Sequence, residues 1–167
     1  GRRLALRATL YAAAGRKAEA VRDAHEATAL GKEESIFYLA GLALIGAGQS
    51  AAALDLAADL DDRLENDARL YGALLRGDAA LAADHPRAAV NAYKDALKLG
   101  DAWMAHLALG RAYLAINAFP EASAELDRCV SRRGEATAIF LDDRPTFHLY
   151  REVGPLVERA KSGLGGK

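Results

Sequence analysis

The stretch HLALGRAYLAINAFPEASAELDRC, from His106 to Cys129, decides the fold. It divides at Asn117 to Pro120 into two segments, each with apolar and small residues at helical spacing. Pro120 falls where a second helix would begin, and there its missing N–H costs little. Gly110 in the first segment and Ala122 in the second are the small residues that let two helices approach closely. The reading is a helical hairpin, with helices over 102–117 and 120–132.

The same spacing recurs upstream. Ala8 and Ala20, Gly41 and Ala53, and Gly77 and Ala89 repeat the pairing of Gly110 with Ala122. The steps between first members are 33, 36 and 33 residues. Each unit reads as a helix pair: 2–14 with 17–30, 34–47 with 50–64, and 69–83 with 86–99. Gly15 and Gly48 stand where first helices end and a left-handed residue is wanted. Gly31 and Gly100 end second helices, and Pro86 opens one, as Pro120 does. No such unit can bury its apolar stripe alone, so neighbours must stack.

These residues resemble the tetratricopeptide repeat family, whose pattern is W-x2-L-G-x2-Y followed by A-x3-F-x2-A. The fourth unit carries Leu109-Gly110, Tyr113, Ala122, Leu126 and Cys129. The third carries Gly77, Ala89, Tyr93 and Ala96, the second Phe37, Gly41, Ala53 and Ala57, and the first Leu4, Ala8, Tyr11, Ala20, Ala24 and Ala27. The tryptophan position holds Leu4, Phe37, Ala73 and His106, and the closing proline is missing throughout. The resemblance implies an all-α fold, a right-handed α-solenoid of antiparallel helix pairs. Four units, 1–33, 34–68, 69–101 and 102–133, are followed by an ordered loop and a capping helix within 134–167. Glycine at position 110 is read as a close-packing site, so Gly110→Leu should overpack it by roughly 1–3 kcal/mol. An unchanged melting temperature would count against the register.

The tail, Gly134-Glu135-Ala136-Thr137-Ala138-Ile139-Phe140-Leu141-Asp142-Asp143-Arg144-Pro145-Thr146, is similar to a stretch at the ends of some bacterial tetratricopeptide regions, some of them attached to signalling domains. Ile139, Phe140 and Leu141 are expected to pin a loop, with Asp142 and Asp143 in a solvated turn. A final amphipathic helix is expected near 146–164, interrupted at Gly154-Pro155, presenting Tyr150, Val153, Leu156, Val157 and Leu164 to the end of the stack. The opening Gly1-Arg2-Arg3-Leu4 is expected to be an internal cut of a longer bacterial protein.

Composition narrows the function. The net charge of -1 argues against a nucleic-acid or membrane-surface binder. No apolar run is long enough to cross a bilayer. The one cysteine, Cys129, forbids an internal disulfide and fits a cytoplasmic setting. His25, His85, His106 and His148 lie in different segments without metal-ligand spacing, and no phosphate loop, dinucleotide fingerprint or serine-nucleophile motif occurs. The expectation is a chain with no enzyme activity, cofactor or metal.

In the resemblant family the first helix of each pair lines a concave face. Carried over, the groove residues are Tyr38, Leu42, Ile45, Tyr71, Leu74, Asp78, Leu81, Leu107, Arg111 and Leu114. The lysines and asparagines of a carboxylate clamp are missing, so the groove reads as apolar, with Tyr38 and Tyr71 as anchors and Asp78 and Arg111 as polar handles. The resemblance implies a scaffold that binds a peptide or helix of a protein partner. Two other readings stay open: a self-association module forming homo-oligomers, and a helical ligand sensor with an interior pocket.

Overall fold

The computed structural model describes residues 1–132 and 144–165, with side chains from 151 onward in the second stretch. Among these residues the structure is all helical. The helices are α1 (Arg2–Ala13), α2 (Lys17–Leu30), α3 (Glu34–Gly46), α4 (Ser50–Asp61), α5 (Asn66–Ala82), α6 (Pro86–Leu99), α7 (Trp103–Ala115), α8 (Phe119–Ser131) and α9 (Arg144–Gly165). The loop expected over 134–143, with Ile139, Phe140, Leu141, Asp142 and Asp143, lies outside the described residues, as does the side chain of Tyr150.

Consecutive helices pack as antiparallel hairpins, and each second helix also packs on the next first helix. The first helices α1, α3, α5, α7 and α9 touch in sequence and form an inner layer, while α2, α4, α6 and α8 form the outer one. This is a helical-repeat solenoid. The division of labour follows from composition. After Glu34 and Ser35, the Tyr38 hydroxyl is the one polar side-chain group of helix α3, and α7 has only His106, Arg111 and the Tyr113 hydroxyl beside the Trp103 indole. A helix apolar on every side is covered on most sides. Helices α6 and α8 carry one apolar stripe opposite a charged face, as an outer layer must.

All four intra-unit turns share one geometry. Gly15, Gly48, Asp84 and Asn117 have φ of 73°, 84°, 59° and 58°. The next residue's N–H then reaches back across the turn: Arg16 to the Tyr11 carbonyl (2.8 Å), Gln49 to Leu44 (2.8 Å), His85 to Ala80 (2.8 Å) and Ala118 to Tyr113 (2.9 Å). This is the Schellman arrangement, which satisfies the last helical carbonyls. Glycine meets the left-handed requirement in units one and two, and a short polar side chain meets it in units three and four. A residue with a Cβ pays about 1–2 kcal/mol in that conformation, and glycine instead loses about 0.5–1 kcal/mol of unfolded-state entropy. Asp84→Gly should therefore stabilise the chain by about 0.5 kcal/mol. The urea midpoint of the variant tests this, and a lower midpoint would contradict the assignment.

The register residues Ala8, Ala20, Ala53, Ala89 and Ala122 are fully buried, and Gly41, Gly77 and Gly110 are buried with them. Their partners correct the sequence expectation of small against small. A Cβ on Gly77 would strike the Tyr93 ring, one on Gly110 would stand 2.9 Å from Leu126, and one on Gly41 would strike Leu75 of the next first helix. Glycine makes room for a large neighbour, four residues beyond the paired alanine in units three and four. Unit two has the small Ala57 at that place, and Leu75 fills the space instead.

Two helix bounds also differ from expectation. Helix α4 stops at Asp61, and α5 starts at Asn66, one turn early. The extra turn accounts for the 36-residue step, since α5 has 17 residues against 12 or 13 in α1, α3 and α7. Helix α9 runs through Gly154-Pro155 without the expected interruption. Arg151, Gly154 and Pro155 are all exposed, so the Arg151 carbonyl that proline leaves unpaired faces solvent. Inwardly, α9 sets Val153, Leu156, Val157 and Ala160 on the core, and Gly163 lies flat on the Phe119 ring.

Candidate binding face

The inner layer leaves one strip of each first helix uncovered. Successive units place Thr9, Leu42, Asp78 and Arg111 at equivalent half-buried positions. One turn further lie Ala12, Ile45 and Leu81, also half-buried, and the last residue of each first helix is small and exposed: Ala13, Gly46, Ala82 and Ala115. Small residues there keep the strip open where side chains would otherwise close it.

Five of the ten expected groove residues are on this strip: Leu42, Ile45, Asp78, Leu81 and Arg111. The other five correct the expectation. Tyr38, Tyr71, Leu74, Leu107 and Leu114 are interior, each 4% exposed or less. They sit between neighbouring first helices, where Tyr38 and Tyr71 bring ring centroids to 5.4 Å. A first helix inside a stack touches its hairpin partner, the preceding second helix and two first helices, so little of its circumference stays open.

Polar groups converge under the strip. Asp78 on α5 accepts a hydrogen bond from the Tyr38 hydroxyl of α3 at 2.9 Å and from the Tyr93 hydroxyl of α6 at 2.8 Å. Burial pushes the Asp78 carboxyl up to about 6, and the two phenols and the Arg111 charge pull it partly back. Burial, together with the Asp78 charge, raises both tyrosine hydroxyls above their ordinary range. Arg111 on α7 is ion-paired with Glu152 on α9. Three helices thus meet at Asp78, and the Arg111–Glu152 pair joins two more, its Arg111 acting on Asp78 only through its charge.

Two further polar contacts escaped the sequence reading. His106 is 2% exposed and lies between two carboxylates, with Nδ1 at 2.5 Å from Glu125 and Nε2 at 2.6 Å from Asp101. Arg132 also donates to Asp101 at 2.9 Å, and these two neighbours hold the Asp101 carboxyl below its usual range. Asp23 on α2 is fully buried and takes a 2.5 Å contact from Arg7 of α1, which with Arg22 lowers its carboxyl. Their signal was present, since a lone polar residue amid an otherwise apolar helix face needs a partner. Both contacts fasten the two helices of a hairpin.

Cys129 is buried, and its thiol is pushed up to about 12 by that burial, the opposite of an activated nucleophile. Among the described residues no three His, Cys, Asp or Glu side chains are grouped to hold a metal ion. A hollow of about 560 Å³ lies at the α5–α6 turn, lined by His85, Pro86, Arg87, Ala88 and Ile116. It opens widely to solvent, unlike an enclosed ligand pocket. No described helix is long and apolar enough to cross a membrane. Comparison with protein-family models and with curated proteins finds no match to this chain.

Proposed function

We propose that the chain is a tetratricopeptide-type interaction scaffold that takes a peptide or helix of a protein partner along its concave strip, as one region of a larger bacterial signalling protein. The observation that carries this is the half-buried apolar row Leu42, Ile45 and Leu81 beside the small exposed ends Gly46, Ala82 and Ala115. An apolar strip with a shallow floor suits an amphipathic helix or an extended apolar peptide. Peptides selected from a random library on the wild-type chain supply the test. Leu42→Glu with Leu81→Glu should weaken them by about tenfold or more, as a charge in an apolar contact costs upward of 1.4 kcal/mol. Undiminished binding to a folded double variant would overturn the assignment.

Self-association is the second reading. Leu10 on α1 is 69% exposed, and no other described helix covers that face. Leu10→Lys should then dissociate a dimer, seen as a lower sedimentation coefficient. A wild-type chain that sediments as a monomer across a concentration series would rule this reading out.

A further inference from the structure

The strip is apolar except at Thr9 and at two equivalent charged positions, and those two are not alike. Arg111 has its counter-charge in Glu152. Asp78 has none. The hydrogen bonds it accepts come from the neutral phenols of Tyr38 and Tyr93, and among the described residues no ammonium or guanidinium group pairs with it. Tyr38 and Tyr93 are themselves interior, so the two hydroxyls hold the carboxylate in one place and do not swing away. Asp78 remains partly open to solvent, with Leu42 at the equivalent position of the preceding unit and Leu81 on the next turn of its own helix. A fixed, poorly solvated anion on an apolar surface is complementary to a cation carried by an apolar segment.

We propose that the partner segment bears one basic side chain, lysine or arginine, flanked by apolar residues, and that this cation seats against Asp78. The proposal rests on the interaction-scaffold reading above. Tyr38 from α3 and Tyr93 from α6 donate to Asp78, and Arg111 of α7, already paired with Glu152 of α9, acts on it only through its charge. The apolar flanks would lie on Leu42 and Leu81, which fixes the register of the segment on the strip.

The test uses the whole chain and synthetic peptides recovered from a random-peptide library. Recovered peptides should share a lysine or arginine between apolar residues. Exchanging that residue for glutamine should weaken binding to the wild-type chain about tenfold, the scale of one charge-assisted contact. The same exchange should leave binding to Asp78→Asn unchanged. The peptide exchange read on the wild type stands even if the variant folds poorly. So does a pH series: affinity should fall from about pH 7.5 to about pH 5 as Asp78 loses its charge. Peptides that need Leu42 and Leu81 but bind equally with glutamine would overturn this inference alone. Peptides indifferent to Leu42→Glu and Leu81→Glu would overturn the scaffold site itself, and a library yielding no binder would count against both.

Discussion

Trp103→Ala should lower the stability of the array by about 3–5 kcal/mol, the upper range for truncating a buried aromatic. Trp103 opens α7 and is 2% exposed. Its indole Nε1 donates to the Cys129 carbonyl at 2.9 Å. Cys129 lies in the last turn of α8, where carbonyls lose their intrahelical partners, so the indole acts as a cap from the neighbouring helix. The contact closes the α7–α8 hairpin at the end opposite its Asn117 turn. Alanine would leave a cavity and an unpaired carbonyl together. In a repeat array such a loss falls mainly on the unit and its neighbours, so α7, α8 and α9 should loosen first. Amide exchange resolved along the chain would show that gradient, and urea unfolding would give the total. Trp103→Phe separates the two contributions, since it keeps most of the burial and should cost only about 0.5–1.5 kcal/mol for the hydrogen bond. A Trp103→Ala chain within about 1 kcal/mol of wild type would mean that this corner is not packed as described.

Much of the architecture was legible because it depends on spacing. The pairs Gly41 with Ala53, Gly77 with Ala89 and Gly110 with Ala122 repeat along the chain, and all are buried at helix contacts. What the spacing could not supply was the partner. Tyr93 and Leu126 stand on the glycines because they are the next inward residues of the outer helices, a relation that depends on three-dimensional offset. The turn code was half legible. Gly15 and Gly48 announce a left-handed residue, whereas Asp84 and Asn117 adopt it without glycine. The Asp62-Arg63-Leu64-Glu65 break was hidden because its residues continue a helical pattern, and only the early start of α5 at Asn66 reveals it.

The candidate site was less legible for a physical reason. A family pattern gives the angular position of a residue on its helix, but exposure depends on how closely the neighbours approach. Tyr38, Tyr71, Leu74, Leu107 and Leu114 point toward the inner layer and are covered by it. The composition of α3 and α7 held the clue, since helices nearly devoid of polar residues cannot offer a wide open face. Asp78 was found as a polar handle, yet its two phenol donors come from α3 and α6, which no local pattern links.

Tyr93 should be the most informative residue of the outer layer, because one side chain serves both the packing and the polar contact. It is fully buried, its ring fills the space over Gly77, and its hydroxyl holds Asp78. Tyr93→Ala should cost about 3–5 kcal/mol. Tyr93→Phe keeps the ring and removes one donor from a carboxylate, a loss of about 1.5–3 kcal/mol while Asp78 is ionised. The pH dependence then follows from sign. The Asp78 carboxyl sits at about 6 in the folded chain, above its unfolded value near 3.9. Its contribution to stability is therefore present at low pH and is lost as pH rises through about 6. The Tyr93 hydroxyl pulls that value down, so Tyr93→Phe moves it higher and enlarges the loss on the alkaline side. The difference between wild type and Tyr93→Phe should be largest near pH 7.5 and shrink toward pH 5, where a protonated Asp78 leaves only a neutral hydrogen bond of about 0.5–1.5 kcal/mol. Asp23 shifts the other way, its lowered carboxyl adding stability that is lost only in acid, but it is common to both chains and cancels in the difference. Chemical denaturation of both chains across this range measures the effect. A penalty that stays constant with pH would show that Tyr93 does not hold the ionised carboxylate, and would remove the anchored anion on which the basic-segment inference depends.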